Sequence, residues 1–526
     1  MLALFFLTAL FLLATAFQKL LPVELNAALS NELHTRASLV ADAGVEDTIA
    51  FIESALAQGN EPFAGSPPYL RSGGLGADWT WTATVTPDAL TPPNSNGSIR
   101  VYRIDSIASF GKRQLRRISA YAGQQSFARF ALYADTVDQT GWWDPSTEHY
   151  DGPFHVNDPL RIGTPGGVYS NAYSPLFLST VTSASRDSSS ADGVTYVSDG
   201  GSGAGDPPYD SNGNPIPGRY EALYAQGRPS LRTGVSRIDM PANTQSLASA
   251  AWGDPSTGPP STTGVYVNQA KTGNGSSGGV YIVGDVSKMT MSVDSAGNRS
   301  LTIKQAIGQT TVTETLASSV RAPDGQNVPQ GRTLVVPPFG KPNVVSTLTN
   351  GVVYSTGTIA SLSGVNKGQR TIATDVTKQT EIKIGGSITR SDTPVGQNPT
   401  GTADNLGLVT YTLRFPTSLP RSSATPVYLY ATAMAGIKGG GGGSVIDGLD
   451  KQGLGVLNIY GGLIVSNDGV TVNNANLWNP YTHHLTSTQI GFIRTIHYDT
   501  NLASSPPPYF PTYPKLTVRS WSDEAI

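Results

Sequence analysis

The first residues, MLALFFLTALFLLATAFQKLL, are hydrophobic at almost every position and carry no charge before Lys19. At 1.5 Å per residue the run makes a helix of about 30 Å, the thickness of a bilayer's hydrocarbon core. The pattern then changes without stopping. Beyond Pro22, the apolar positions Leu25, Leu29, Leu33, Ala37, Val40, Val45, Ile49, Ile52 and Leu56 recur mostly every three or four residues. Glu24, Glu32, Arg36, Asp42, Asp47 and Glu53 fall largely on the other face. Glu32 stands one turn ahead of Arg36, a favourable pair on a helix surface. The pattern predicts one helix over 1–57, about 85 Å long, apolar all round at first and amphipathic afterwards. Gly59 and Asn60 supply a stop. A secretory signal would carry a basic residue ahead of the apolar run, and none precedes Leu2.

The period then becomes two. In DWTWTATVT, from Asp78, alternation puts Trp79, Trp81, Ala83 and Val85 on one face of a strand, and Ser98–Ile107 reads as another. Three later runs are built alike. Gly152–Gly163, Gly278–Val293 and Gly455–Ser466 hold short β-branched stretches broken by Gly or Asp–Pro corners. Such runs stack as rungs of a solenoid or pair in a sandwich. The expected class is α+β, predominantly β: a long helix, then a large β-rich, solenoid-like region with strand-rich insertions. The expected partition is an N-terminal helix at 1–57, a β-rich subdomain packed on it at 58–140, and a large β domain at 141–526.

Composition supports the β reading. Charged residues make up only 14%, while Gly (58) and Pro (37) are abundant, as many short strands joined by turns require. A net charge of −3 supplies no field for nucleic-acid binding, and no nucleic-acid partner is expected. With no cysteine, disulfides and thiolate chemistry are excluded.

The N-terminal run resembles the mature type IV pilins and pseudopilins. In them an unbroken apolar helix begins at the first residue after leader removal and carries a proline at the place where Pro22 stands. The stretch Leu39–Ile52 is similar to the end of that helix in large minor pilins. The resemblance implies that a prepilin peptidase exposes Met1 and that the chain waits in the cytoplasmic membrane. Pilus assembly machinery would then pack it into a helical homopolymer at the cell surface. Met1, Leu4, Phe5, Phe6, Leu10, Phe11, Leu13, Pro22, Leu25 and Leu29 would form the assembly helix. Pro22 would kink or locally melt it, which the family uses to stretch the helix during packing. One departure stands out: the family usually has Glu at the fifth position, paired with a neighbour's terminal amine, and this chain has Phe5. That shifts weight toward a tip or specialised subunit.

A second resemblance is to large β-domain proteins fused to pilin-like helices. It rests on DGPFHVND (Asp151–Asp158), GVYIVGDV (Gly279–Val286), YATAMAG (Tyr430–Gly436), LNIYGGLI (Leu457–Ile464) and the closing SPPPYFPTY and VRSW. It implies envelope export and pilus-like assembly and carries no catalytic residues.

Other candidate chemistry is sparse. Lys112, Arg113, Arg116 and Arg117 are a dense basic cluster, read as phosphate contact or as a solvated turn and strand edge. Asp210, Asn212, Asn214 and Glu221 match four positions of a calcium loop, but Pro215 replaces the turn glycine, and an Asx-turn loop is the alternative. His149, His155, His483, His484 and His497 lack ligand spacing for zinc, and no metal or cofactor is expected. No nucleophile elbow, zincin or phosphate-loop motif occurs. A polysaccharide-active enzyme on a solenoid would need converging carboxylates, with Asp285, Asp294, Asp447 and Asp450 available. A surface adhesin would use Trp142, Trp143, Tyr509, Phe510 and Tyr513 as platforms. The expectation is a structural filament subunit and not an enzyme, with the adhesive tip subunit as the alternative.

Overall fold

The computed structural model describes residues 2–57, 68–87, 101–137, 142–143, 145, 148–164, 169, 175–198, 204–253, 258–268, 278–314, 332–335, 343–346, 349–401, 403–420, 422–439, 441–449, 454–468, 472–479 and 484–526. It divides into two compact units, one of Met1–Pro92, Ile99–Gln125 and Pro514–Ile526, the other of Pro93–Ser98 and Ser126–Tyr513. The strands up to Gln125 share a core with the helix, and the C-terminal segment returns to them.

In the first unit, α1 (Leu2–Ala57) runs without interruption through Pro22. Pro22 thus sits within a continuous helix. Proline removes one backbone bond and strains the turn before it, and the ladder on both sides holds. The Arg36 guanidinium meets Glu32 at 2.7 Å, as the i,i+4 spacing anticipates. Met1, Gly59 and Asn60 lie outside the described residues.

Four strands follow, β1 (Tyr69–Leu75), β2 (Trp79–Pro87), β3 (Val101–Phe110) and β4 (Arg113–Ser126). They form an antiparallel meander, and the C-terminal strand Thr512–Ala525 pairs on the free side of β4. The alternation in β2 works as read, because Trp81, Ala83 and Val85 are buried. They join Ile104, Ala108, Ile118 and Ala120 against Ala37, Val40, Ala41, Val45, Ile49 and Ile52 of α1. Burying each of the larger apolar side chains contributes about 1.5–3 kcal/mol, which fixes the helix on the sheet. Contact is closest at Gly44, where a Cβ would collide with Ser106 and the Trp81 ring.

The second unit holds two large mixed sheets around one continuous core. Its main strands are β5 (Leu132–Val137), β6 (Glu148–Tyr150), β7 (Phe154–Val156), β8 (Val181–Ser183), β9 (Leu231–Thr233), β10 (Val280–Val283) and β11 (Lys288–Val293). Then come β12 (Val352–Ser355), β13 (Ile359–Asn366), β14 (Arg370–Thr374), β15 (Glu381–Arg390), β16 (Leu406–Thr410), β17 (Val427–Leu429), β18 (Thr432–Ala435), β19 (Leu454–Tyr460), β20 (Gly462–Asp468) and β21 (His484–His497).

In the first sheet β9-β8-β7-β5-β20-β18-β16-β14-β12-β10 are neighbours in that order, every pair parallel. In the second, β11-β13-β15-β17-β19-β21-β6 are likewise parallel. Antiparallel strands flank both runs. The named strands from β10 to β21 alternate between the sheets, and further strands of the second sheet, such as Arg299–Gln305 and Thr412–Phe415, lie between them in the chain. Side chains at equivalent positions therefore stack at the strand spacing of about 4.8 Å. Tyr430, Tyr460 and His497 form one such ladder, with ring centroids 4.4 and 4.5 Å apart. Tyr150, Phe177 and Tyr224 form another, at 5.7 and 5.5 Å. The runs Gly152–Gly163, Gly278–Val293 and Gly455–Ser466 each supply strands to this arrangement.

The stacking order is not the chain order. β5, the first of these strands in sequence, pairs with β20, near the end, with Leu132 opposite Leu463. β6 likewise pairs with β21. The seam between the two chain halves thus lies inside the stack.

Candidate functional site

The apolar first part of α1 is not buried against the rest of the described residues. Leu4, Phe5, Phe6, Leu10, Phe11, Leu13, Leu25 and Leu29 are all exposed, from 50% at Leu29 to 75% at Phe5. Pro22 is exposed in the same stretch. The hydroxyls of Thr8 and Thr15 bond back to the carbonyls of Leu4 and Phe11, so neither needs water there. The helix is long and apolar enough to cross a membrane. Soluble chains rarely leave so large a contiguous apolar surface uncovered.

The amphipathic stripe buries later than its periodicity suggests. Leu25, Leu29 and Leu33 remain exposed, and packing on the sheet begins at Ala37. Sequence spacing marks a face; only the reach of the sheet decides how much of that face is used. At the far end Glu53 accepts from the Leu516 amide at 2.8 Å and meets Lys515 at 3.0 Å. Asp47 pairs with Arg71 at 2.6 Å, whose guanidinium lies 4.0 Å above the Phe51 ring.

The residues weighed for other chemistry are engaged elsewhere. Trp143, Phe510 and Tyr513 are core residues rather than exposed platforms, because stacked strands need bulky side chains to fill their interior. Asp285 accepts from the Thr358 amide, Asp294 bonds Asn298, and Asp447 pairs with Arg414. Asp450 and His483 lie outside the described residues. His155 is buried between Thr182 at 2.8 Å and Asn157 at 3.0 Å. His497 stacks on Tyr460. Among the described residues no group of three or more His, Asp or Glu is placed to hold a metal ion. Asp210 accepts from the amides of Asn212 and Asn214, an Asx-type turn that occupies its carboxylate. Arg116 and Arg117 face Asp523 and Glu524 of the C-terminal strand at 3.6 and 3.9 Å.

Sequence reasoning missed a buried ionic cluster at the seam. Arg494 donates to both carboxylate oxygens of Asp468 at 2.8 and 2.9 Å, to Glu148 at 2.7 Å and to the Tyr150 hydroxyl at 2.7 Å. All four are buried. Burial alone would discharge the guanidinium, but the two carboxylates outweigh it and hold its pKa above the ordinary arginine value. Glu148 and Arg494 are 346 positions apart, so no local spacing could reveal the pair. The cluster fastens strands together.

No protein-family model, no curated protein and no solved structure matches the chain.

Proposed function

We propose that this chain is a structural subunit of a type IV pilus-like extracellular filament. The observation that carries the reading is the division of α1. Its later part is committed to the subunit's own sheet from Ala37 onward, and its first part, ahead of Lys19, keeps an apolar surface on all sides. A simple anchor needs only the apolar span. A helix that continues rigidly into its own domain can instead transfer from lipid into a bundle of like helices. In this reading the subunit waits in the cytoplasmic membrane, and assembly machinery extracts it into a helical homopolymer at the cell surface.

The second unit is, in this reading, a β-solenoid displayed by the filament. Support comes from the strand-by-strand alternation between two parallel runs and from the aromatic ladders along them.

The test is the amount of the chain in sheared surface filaments. A charge without a partner in the apolar bundle costs several kcal/mol. Leu10→Arg or Phe11→Asp should abolish incorporation while the β-rich units still fold. Phe5→Glu should be tolerated or strengthen assembly, since it restores the acidic residue that the resemblance leads one to expect. Normal filaments from Leu10→Arg would reduce the helix to an anchor and remove the filament reading.

A further inference from the structure

The stack in the second unit poses a routing problem. β9 and β10 stand at opposite ends of the parallel run, yet they are consecutive among its strands along the chain. The connection between them must travel the length of the sheet and cross the seam between β5 and β20.

Residues 235–244 do this along the C-terminal ends of the strands. The Val235 amide donates to Ser183 at the end of β8 at 3.1 Å. Ile238 is clamped by Asn157, just past β7, which accepts from its amide at 3.1 Å and donates to its carbonyl at 2.7 Å. Arg237 donates to the buried Asp135 of β5 at 2.5 Å. Beyond the seam, Asp239 meets Lys438, just after β18, at 2.9 Å, and the Lys438 amide donates to Pro241 at 3.1 Å. Thr244 then donates to Thr374 at the end of β14 at 3.0 Å. A short helix, α2 (Gln245–Trp252), continues over β12 and β10, burying Leu247, Ala248 and Ala251.

The lengths agree. From β8 to β14 there are six strand intervals, about 29 Å at the usual spacing. From Val235 to Thr244, extended chain covers about 30 Å at 3.3 Å per residue. The segment therefore has no slack and touches both sides of the seam.

We propose that residues 235–244 are a strap that latches the seam, so that the β5/β20 and β6/β21 pairings open when the strap is released while the distal strands stay closed. The seam is the one place in the parallel run where the pairing joins the N-terminal β5–β9 half to the β10–β21 half. Its ladders, Leu132 to Val137 against Leu463 to Asp468 and Glu148 to Tyr150 against Arg494 to Ile496, join segments more than 300 positions apart, with a loop-closure cost that the strap reduces. The latch lies within the second unit and does not depend on filament assembly.

Amide hydrogen exchange of the full chain tests it. Asp239→Ala and Lys438→Ala cut the exposed tie beyond the seam, and Arg237→Ala cuts the tie before it. Amides of 132–137 and 463–468 should exchange about tenfold faster in Arg237→Ala, the effect of about 1.4 kcal/mol of lost latching. Amides of β10 and β12 should be unchanged, and Arg237→Lys should restore part of the protection. Because Arg237→Ala also leaves Asp135 short of a partner, the two exposed variants serve as the control against general destabilisation, and each should accelerate the seam selectively. Unchanged seam exchange in all three variants, or equal acceleration of every strand, would overturn the latch.

Discussion

The amide of Phe127 donates to the carbonyl of Pro511 at 3.1 Å, so the two ends of the second unit are bonded to each other. The Ser126 hydroxyl reaches the same carbonyl, and Phe127 packs edge-on against Tyr513 with ring centroids 5.2 Å apart. A unit whose ends meet in this way needs nothing outside itself to close its chain. Residues 126–513 expressed alone should fold with one cooperative transition and a β-type circular dichroism spectrum. A molten or aggregated product would mean that the sheet of the first unit supplies part of this unit's stability.

The Arg494 cluster makes a sharp stability prediction. Removing the cation leaves Asp468 and Glu148 buried without it, a loss of about 3–5 kcal/mol. Arg494→Met should therefore lower the urea midpoint strongly. Adding Glu148→Gln and Asp468→Asn should recover much of it, because neutral side chains cost far less to bury. A change below about 1 kcal/mol for Arg494→Met alone would show that water reaches the carboxylates.

Gly44 tests the seat of the helix. In an exposed helix, replacing glycine by alanine gains about 1 kcal/mol. Here the added Cβ would run into buried Ser106 and the Trp81 ring, and overpacking of that kind costs about 1–3 kcal/mol. Gly44→Ala should lower the Tm of the first unit, and Gly44→Val should lower it further. A raised Tm would mean that the helix slides away from β2 and β3 at little cost.

Burial pushes the pKa of His155 below its ordinary value of 6.5, so the folded state keeps it neutral. The unfolded chain then binds more protons than the folded one as pH falls below 6.5, and stability drops through that range. His149, also depressed by burial, adds to the same slope. His155→Gln should flatten the fall of urea stability below pH 6.5. The same slope in the variant would locate the sensitivity elsewhere.

Much of the first unit was legible. The one-helix reading holds from Leu2 to Ala57, Glu32 pairs with Arg36, and the alternation at Trp81, Ala83 and Val85 faces the core. Each of these depends on residues a turn or a pleat apart, which a local pattern reports. What the pattern misjudged is extent. Leu25, Leu29 and Leu33 share the stripe of Ala37 and Val40, yet the sheet does not reach them. The aromatic residues Trp143, Phe510 and Tyr513 illustrate the converse. Composition marks them as large and partly polar, and only the stacked interior decides that they fill it.

The sequence by itself determined the helix, its apolar and amphipathic portions, and the β character of the chain beyond it, because each is a periodicity expressed within a few residues. The tertiary structure alone decided that the C-terminal strand completes the first sheet, that β5 lies beside β20, that Arg494 holds Glu148, and that residues 235–244 run along the stack. Those relationships join positions tens to hundreds of residues apart. They are selected by the summed free energy of burial and backbone pairing over the whole core, which no local window of the chain contains.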